Sequence, residues 1–352
     1  MGILGKSVSG LIALALLAIG GVLAFGTGTP ATELASISAP FRSVDFSTLP
    51  PIRKQDAGLG GPVAYRQYGP TETKQAIILL HGSTASSSSM HPLAQFLAAQ
   101  GMAVYVPDVR GHGETGRRGD IDHTGQLSDD IETVISIART AHPDAVLTLV
   151  GFSAGGGLAI RYAGSPGGHL IDRYVFVAPA LGRGAPTTRN EGDLWATPHV
   201  PRIVAISLLN RVGIHWFDGL EAIRFAVPPD SAKILTPSYS FRLLNAMLPV
   251  DYAADLKKAV RPMFAVIAEK DELFDQPTLR RALMDVRPDI SVSIVPGSNH
   301  IGLILEPAGM EAIARTIRGE GIEERPDELD SDGVRAPPLG EAPAPQPPQQ
   351  GG

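Results

Sequence analysis

The chain has 352 residues, of which 43% are hydrophobic and 19% are charged, so it can bury a sizeable core and is not a generally disordered protein. Eight acidic and two basic residues within Gly319–Gly352 account for the whole net charge of −6, which leaves residues 1–318 formally neutral. A neutral body argues against nucleic acid as a partner, and the absence of cysteine excludes disulfides and thiolate chemistry.

An uninterrupted apolar run, Val8–Phe25, follows Lys6 near the N-terminus. It is about long enough to span the hydrocarbon core of a membrane, and the preceding charge favours a cytoplasmic N-terminus. Residues 1–28 are therefore predicted to be an uncleaved signal-anchor or, as the alternative, a cleaved signal peptide. The first makes the membrane a partner, and the second predicts secretion. Both place the rest of the chain outside the cytoplasm, in the periplasm or the extracellular space.

Composition divides the rest of the chain into three parts. Residues 29–40 are predicted to be a linker, and residues 41–318 to be the folded body. Residues 319–352 contain acids and then a proline-rich stretch, a composition that predicts a disordered tail because it cannot bury apolar surface.

Within the body, short apolar runs alternate with helix-like stretches. The predicted strands are Ala76–Leu80, Met102–Val106, Val146–Val150, Tyr174–Ala178, Phe264–Ala268 and Val292–Val295. The predicted helices are Pro92–Gln100, Leu127–Ala141, Ala154–Ala163 and Pro307–Arg318. This order predicts an α/β fold with a mostly parallel central sheet and helices on both of its faces.

One interval, about 181–250, breaks the alternation and is predicted to be a helical cap inserted between two strands. It contains two helical patches, Pro201–Val212 and Phe241–Leu248. It also holds a concentration of aromatic and apolar side chains, which suggests a lipophilic substrate or, equally, the ordinary core of the cap. The residues in question are Trp216, Phe217, Phe225, Phe241, Leu243 and Leu244.

The sequence Gly151-Phe152-Ser153-Ala154-Gly155 follows a predicted strand and opens a predicted helix. In that context a G-x-S-x-G motif holds its serine on a sharp turn with the hydroxyl exposed, so Ser153 is the candidate nucleophile. The backbone N–H of Ala154, at the start of the helix, is a candidate oxyanion donor. The loop after Ala76–Leu80 supplies the second candidate, the backbone N–H of Ser83.

A serine nucleophile needs a base, and His300 lies in a loop between the last predicted strand and the last helix. The acid is expected to follow an earlier strand, and Asp271 comes shortly after Phe264–Ala268. Glu272 and Asp275 are rival acids at the same place.

Neither a metal nor a cofactor is predicted. No cluster of His and carboxylates has metal-ligand spacing, and the sequence has no phosphate-binding loop. Asp108 and His112, in Asp108-Val109-Arg110-Gly111-His112-Gly113, are interpreted as parts of a structural loop that shapes the site.

These motifs together resemble the α/β-hydrolase superfamily, and most closely its serine aminopeptidase and monoacylglycerol lipase-like group, also labelled lysophospholipases. The resemblance rests on His81-Gly82-Ser83, Asp108–Gly113 and Gly151–Gly156, and it covers about residues 76–318. It implies a triad of Ser153, Asp271 and His300, with an oxyanion hole formed by the amides of Ser83 and Ala154.

The resemblance also implies a serine hydrolase that cleaves a small-molecule ester, of monoacylglycerol or lysophospholipid type, through an acyl-enzyme. The same residues leave short-chain carboxylesterase, peptidase and acyltransferase activities open. A catalytically inactive binding module is the alternative from another functional class.

Overall fold

The computed structural model describes residues 34–182, 185–188, 195–231 and 234–320, together with Leu14, Leu17 and residues 19–25. Much of the predicted membrane run and nearly all of the predicted acidic tail lie outside these residues. Across the described part of the chain, no helix has both the length and the apolar character needed to cross a membrane.

The central sheet has eight strands in the order β1-β2-β4-β3-β5-β6-β10-β11. These strands are β1 (Arg53–Gln55), β2 (Val63–Tyr68), β3 (Gln75–Leu80), β4 (Ala103–Pro107), β5 (Val146–Phe152), β6 (Arg173–Val177), β10 (Met263–Ala268) and β11 (Ser291–Val295). The pairs from β4 to β11 are parallel, and at one edge β2 pairs antiparallel with both of its neighbours, β1 and β4. The predicted mostly parallel α/β sheet is confirmed.

Helices pack against this sheet and also occur in the insertion between β6 and β10. They are α1 (Ala35–Ser38), α2 (His91–Ala99), α3 (Gln126–Ala141), α4 (Ala154–Ala163), α5 (Val200–Arg211), α6 (Phe241–Met247), α7 (Tyr252–Lys258), α8 (Gln276–Val286), α9 (Gly302–Leu305) and α10 (Pro307–Arg318). Helix α10 begins at a proline and ends before Gly319, which has a left-handed backbone and caps the helix.

The insertion between β6 and β10 differs from the predicted helical cap. It contains α5, α6 and α7, and also a three-stranded antiparallel sheet of β7 (Ala196–Pro198), β8 (Glu221–Phe225) and β9 (Ser238–Ser240). Two of these strands have three residues each, and a register shift interrupts the pairing of β8 with β9. Strands this short contain too few residues to show an alternating pattern, so they could not be predicted from the sequence.

Part of the predicted linker, residues 29–40, is folded. Helix α1 and the 3-10 helix Ala39–Ser43 follow directly on one another, and Ile37 is buried with 7% of its surface exposed. This segment packs against the body of the domain and borders its cavity.

Candidate active site

The candidate nucleophile lies on a strained turn between β5 and α4. Ser153 has φ 55° and ψ −117°, a backbone conformation that costs energy for a residue with a Cβ. Its N–H donates to the Val177 carbonyl at 2.9 Å, and its carbonyl accepts from the Ala180 N–H at 2.9 Å. The end of β6 therefore holds both backbone groups of Ser153 in place.

Close packing explains the glycine that follows at position 155. A Cβ there would lie 2.5 Å from the His81 carbonyl oxygen and 2.7 Å from that of Leu80. Only glycine lets the start of α4 approach the end of β3 this closely. The same approach brings the loop after β3 beside Ser153, so that a Cβ at Gly82 would lie 3.3 Å from the Cβ of Ser153.

The structure brings the candidate base and acid together. His300 Nδ1 donates to Asp271 Oδ2 at 2.8 Å, and both side chains are almost fully buried. The imidazole packs between two aromatic rings, with centroid distances of 4.8 Å to Phe152 and 5.4 Å to Phe274. Because Nδ1 carries the proton in this hydrogen bond, Nε2 is left as the basic nitrogen.

Asp271 is held as a carboxylate. Burial alone would raise its pKa, but the charge and hydrogen bond of His300 act in the opposite direction. Asp271 Oδ1 also accepts the backbone N–H groups of Leu273 and Phe274, at 2.8 and 2.9 Å. Together these interactions lower the pKa of Asp271 below its ordinary value.

The rival acids contact other groups. Glu272 Oε2 accepts the backbone N–H of His300 at 2.9 Å, rather than a ring nitrogen. Asp275 caps the N-terminus of α8 through the Thr278 N–H. Of the three candidate acids, the structure thus pairs Asp271 with the imidazole.

Ser153 and His300 line one cavity of about 500 Å³, a volume typical of small-molecule sites. The lining of this cavity is mostly apolar, and none of the described residues that line it is Asp, Glu, Lys or Arg. The apolar lining includes Ile37, Phe41, Leu49, Trp195, Leu235 and Ile304.

The cap residues predicted to face a lipophilic substrate lie elsewhere. Phe225, Phe241, Leu243 and Leu244 are buried in the core of the cap, and Trp216 is 87% exposed. The cap contributes Trp195, Pro228, Ser231, Ile234 and Leu235 to the cavity instead. Most of these aromatic and apolar residues thus form the core of the cap, and of the tryptophans in the interval only Trp195 lines the cavity.

The two candidate oxyanion amides flank Ser153. Ala154 is the first residue of α4, and Ser83 lines the cavity. No described residue accepts a hydrogen bond from either N–H group. Both amides are thus available to an oxygen of a bound substrate.

The side chain of His81 orients the Ser83 amide. His81 Nε2 accepts from the Val109 N–H at 3.0 Å, so Nδ1 carries the proton and donates to the Gly82 carbonyl at 2.8 Å. In a trans peptide the carbonyl and N–H point in opposite directions, so fixing the Gly82 carbonyl fixes the Ser83 N–H. Sequence analysis did not assign this positioning role to His81.

Comparison with known proteins agrees with this geometry. Residues 71–307, more than half of the chain, match the serine aminopeptidase S33 family. The chain belongs to this α/β-hydrolase family. A monoacylglycerol lipase of Mycolicibacterium smegmatis is 31% identical over 169 residues, which cover 42% of this chain and 60% of that lipase. The match thus spans about three fifths of the relative's length.

Solved structures of other hydrolases share the fold. A soluble variant of monoglyceride lipase from Saccharomyces cerevisiae superposes with a TM-score of 0.56 at 16% identity, covering 78% of this chain and 96% of that one. The monoacylglycerol lipase of Paleococcus ferrophilus gives a TM-score of 0.54 at 20% identity, covering 74% and 99%. At these identities the likeness establishes the fold alone.

In this member of the S33 family a chain of buried hydrogen bonds connects the loop that carries Ser83 to the cap. The Thr84 N–H donates to Tyr239 Oη at 2.9 Å, and Tyr239 Oη donates to His112 Nε2 at 2.7 Å. His112 Nδ1 in turn donates to the Val109 carbonyl at 3.0 Å. The Thr84 carbonyl accepts from the Thr236 N–H at 2.8 Å. The cap therefore holds both backbone groups of Thr84, beside the predicted oxyanion donor.

The loop containing Asp108 is structural, as the sequence indicated. Asp108 Oδ1 accepts the Ser87 N–H at 2.7 Å, and Oδ2 accepts the Glu114 N–H at 2.9 Å. Both oxygens of this buried carboxylate thus hold backbone N–H groups, one in the loop after β3 and one in the loop after β4.

Replacing Tyr239 with Phe is expected to lower both stability and turnover. The substitution leaves the buried Thr84 N–H and His112 Nε2 without a partner, which costs about 1–3 kcal/mol of unfolding free energy per group. The loop that carries Ser83 keeps the Thr236 contact to its Thr84 carbonyl but loses the tyrosine contact to its Thr84 N–H, so kcat should fall several-fold. Tyr174→Phe is the matched control, because it removes a buried hydrogen bond to Gly168 far from Ser153. Equal kcat in the two variants would show that Tyr239 acts on stability only.

Stability is expected to fall as the solution is acidified. Burial lowers the pKa of His112, assisted by neighbouring His81, from 6.5 to about 3. Between pH 6.5 and about pH 3 the unfolded chain takes up a proton that the folded chain excludes. The free energy of unfolding therefore decreases by about 1 kcal/mol for each pH unit of acidification. Denaturant unfolding between pH 7 and pH 5 should show a shallower pH slope for His112→Asn than for wild type. A pH slope in His112→Asn equal to that of wild type would contradict the assignment.

Proposed function

We propose that the protein is a serine hydrolase that cleaves the carboxylic ester of a lipophilic acyl group. Ser153 is the nucleophile, His300 the base and Asp271 the acid that holds it. The observation that carries the proposal is the 2.8 Å hydrogen bond between His300 and Asp271. The imidazole of His300 lines the same apolar cavity as Ser153, which lies on a strained turn.

The proposed reaction is acyl transfer in two steps. His300 Nε2 takes the proton of the Ser153 hydroxyl as its oxygen attacks the ester carbonyl, and the amides of Ser83 and Ala154 hold the oxyanion. The imidazolium, stabilised by Asp271, gives its proton to the departing alcohol. Water then attacks the acyl-enzyme with His300 again as base, which releases the acid and restores Ser153.

The charge of the cavity favours a neutral substrate. The described lining residues include no cation for a phosphate and no carboxylate for the ammonium group of a peptide. Burying either ionic group without a partner would be costly. A monoacylglycerol therefore fits better than a lysophospholipid, and the relative named a monoacylglycerol lipase supports the same class.

A substrate panel tests this proposal. Purified full-length protein and Ser153→Ala are assayed on a monoacylglycerol, a lysophosphatidylcholine, a short-chain acetate ester and an aminoacyl anilide. We expect the highest kcat/KM on the monoacylglycerol and no turnover by Ser153→Ala. Fastest cleavage of the acetate ester would favour a short-chain carboxylesterase, and cleavage of the anilide would favour a peptidase. Transfer to an added alcohol in preference to water would favour an acyltransferase, and no turnover at all would favour a binding module.

We further propose that the N-terminal run anchors the protein to a membrane, with the catalytic domain outside the cytoplasm. One supporting feature is an exposed apolar stripe on α5, formed by Val200, Val204 and Leu208 at a spacing of four residues. Fractionation of cells that express the full chain should recover it in membranes after alkaline washing, with the domain open to added protease. Recovery outside the cells or in the periplasmic fluid would indicate signal cleavage, and recovery in the cytosol would contradict both.

A further inference from the structure

The segment that follows the N-terminal run forms one wall of the Ser153 cavity. Ile37, Phe41, Phe46 and Leu49 line that cavity together with Ser153 and other residues of the hydrolase body. We propose that these four side chains of the segment form the acyl-binding wall that sets the chain length of the substrate. The inference rests on the proposed function and adds to it a specificity element outside the matched family domain, which begins at residue 71.

The wall is tied to the hydrolase body at its C-terminal end. Thr48 Oγ1 lies 3.1 Å from His91 Nε2, and it accepts a hydrogen bond from Gln95 Nε2 at 2.8 Å. Both partners belong to α2. The following Pro50 carbonyl accepts from the Arg66 guanidinium on β2. This end of the segment is therefore fixed on the central domain.

The chain before the wall contacts the cap. The Leu23 carbonyl accepts from Arg202 on α5 at 3.1 Å, in a buried position. The N-terminal chain thus contacts the cap through Leu23 and α2 through Thr48. Most of the wall lies between these two contacts in sequence, and both tie the N-terminal chain to the rest of the molecule.

The two sides of the segment face different surroundings. Ile37 and Phe41 present apolar surface to the Ser153 cavity, and Ile37 is 7% exposed. Val44 faces a second cavity, of about 660 Å³, which is also lined by His91 and Glu306. Substitutions at Ile37 or Phe41 change the volume of the Ser153 cavity. The same kind of substitution at Val44 changes the segment without touching that cavity.

An apolar wall of this kind selects the length of the acyl chain, because binding strengthens with each methylene group that is buried against it. Each methylene that enters such a cavity raises binding about fourfold, until the cavity is full. Trimming the wall makes room for a longer chain, and filling it leaves room only for a shorter one. Ile37→Ala and Phe41→Ala should therefore move the preferred acyl length upward, whereas Ile37→Trp should move it downward.

The test measures ligand binding and turnover in parallel, in the full-length protein. Binding of fatty alcohols of graded length is measured by titration calorimetry, and kcat/KM is measured on p-nitrophenyl esters of the same lengths. We expect opposite shifts of the preferred length in the alanine and tryptophan variants, with at least about threefold changes in the ratio of long-chain to short-chain values. Val44→Ala should match wild type in both series.

The outcomes separate this inference from the proposed function. An unchanged preferred length in all three Ile37 and Phe41 variants, with wild-type thermal unfolding, would overturn the wall. So would an equal shift in Val44→Ala. A shift in alcohol binding without hydrolysis of any ester would support the wall and contradict the proposed hydrolase.

Discussion

Replacing Asp271 with Asn is expected to lower kcat by about 10⁴-fold while the fold stays intact. Asp271 Oδ1 accepts two backbone N–H groups, from Leu273 and Phe274. The amide nitrogen of Asn cannot occupy that position, since it would place donor against donor. It must therefore face His300 Nδ1, which then has to accept a hydrogen bond. The imidazole proton moves to Nε2, and the nitrogen that would take the Ser153 proton is no longer basic.

The control for this prediction is Asp275→Asn. Asp275 caps α8, and Asn caps a helix about as well as Asp, so kcat should stay within about threefold of wild type. The measurement is kcat on the best ester of the panel, with thermal unfolding of each variant. If Asp275→Asn lost as much activity as Asp271→Asn, the assignment of the acid would be wrong.

Replacing Ser153 or His300 with Ala is expected to lower kcat by about 10⁴- to 10⁶-fold. Without the hydroxyl no acyl-enzyme forms, and without the imidazole nothing takes the hydroxyl proton. The two residues act as one unit, so the double variant should be no worse than either single variant. Steady-state kinetics on purified proteins measures this non-additivity. Losses that multiply in the double variant would show that the residues do not work together.

Much of the site could be predicted because local sequence determines it. The run of small residues around Ser153 lies between an apolar strand and a helix, and the close approach of α4 to β3 demands glycine at position 155. His300 and Asp271 each follow a parallel strand, and the ends of parallel strands meet at one edge of a sheet. Their proximity thus follows from strand order alone.

The parts that could not be predicted depend on contacts between distant residues. Tyr239 meets Thr84 across 155 positions of sequence and His112 across 127. Nothing in the short polar strand around Tyr239 indicates a partner. The wall at Ile37 and Phe41 could not be predicted either. A four-residue helix and a 3-10 helix within Gly- and Pro-containing sequence are too short to show a periodic pattern of apolar residues.

Labelling with a fluorophosphonate probe, followed by peptide mapping, tests the central claim that Ser153 is an activated nucleophile. We predict a single adduct on Ser153 in the wild-type protein, no adduct in Ser153→Ala, and greatly slowed labelling in His300→Ala. A folded wild-type protein that forms no adduct, or forms one on another serine, would contradict the account.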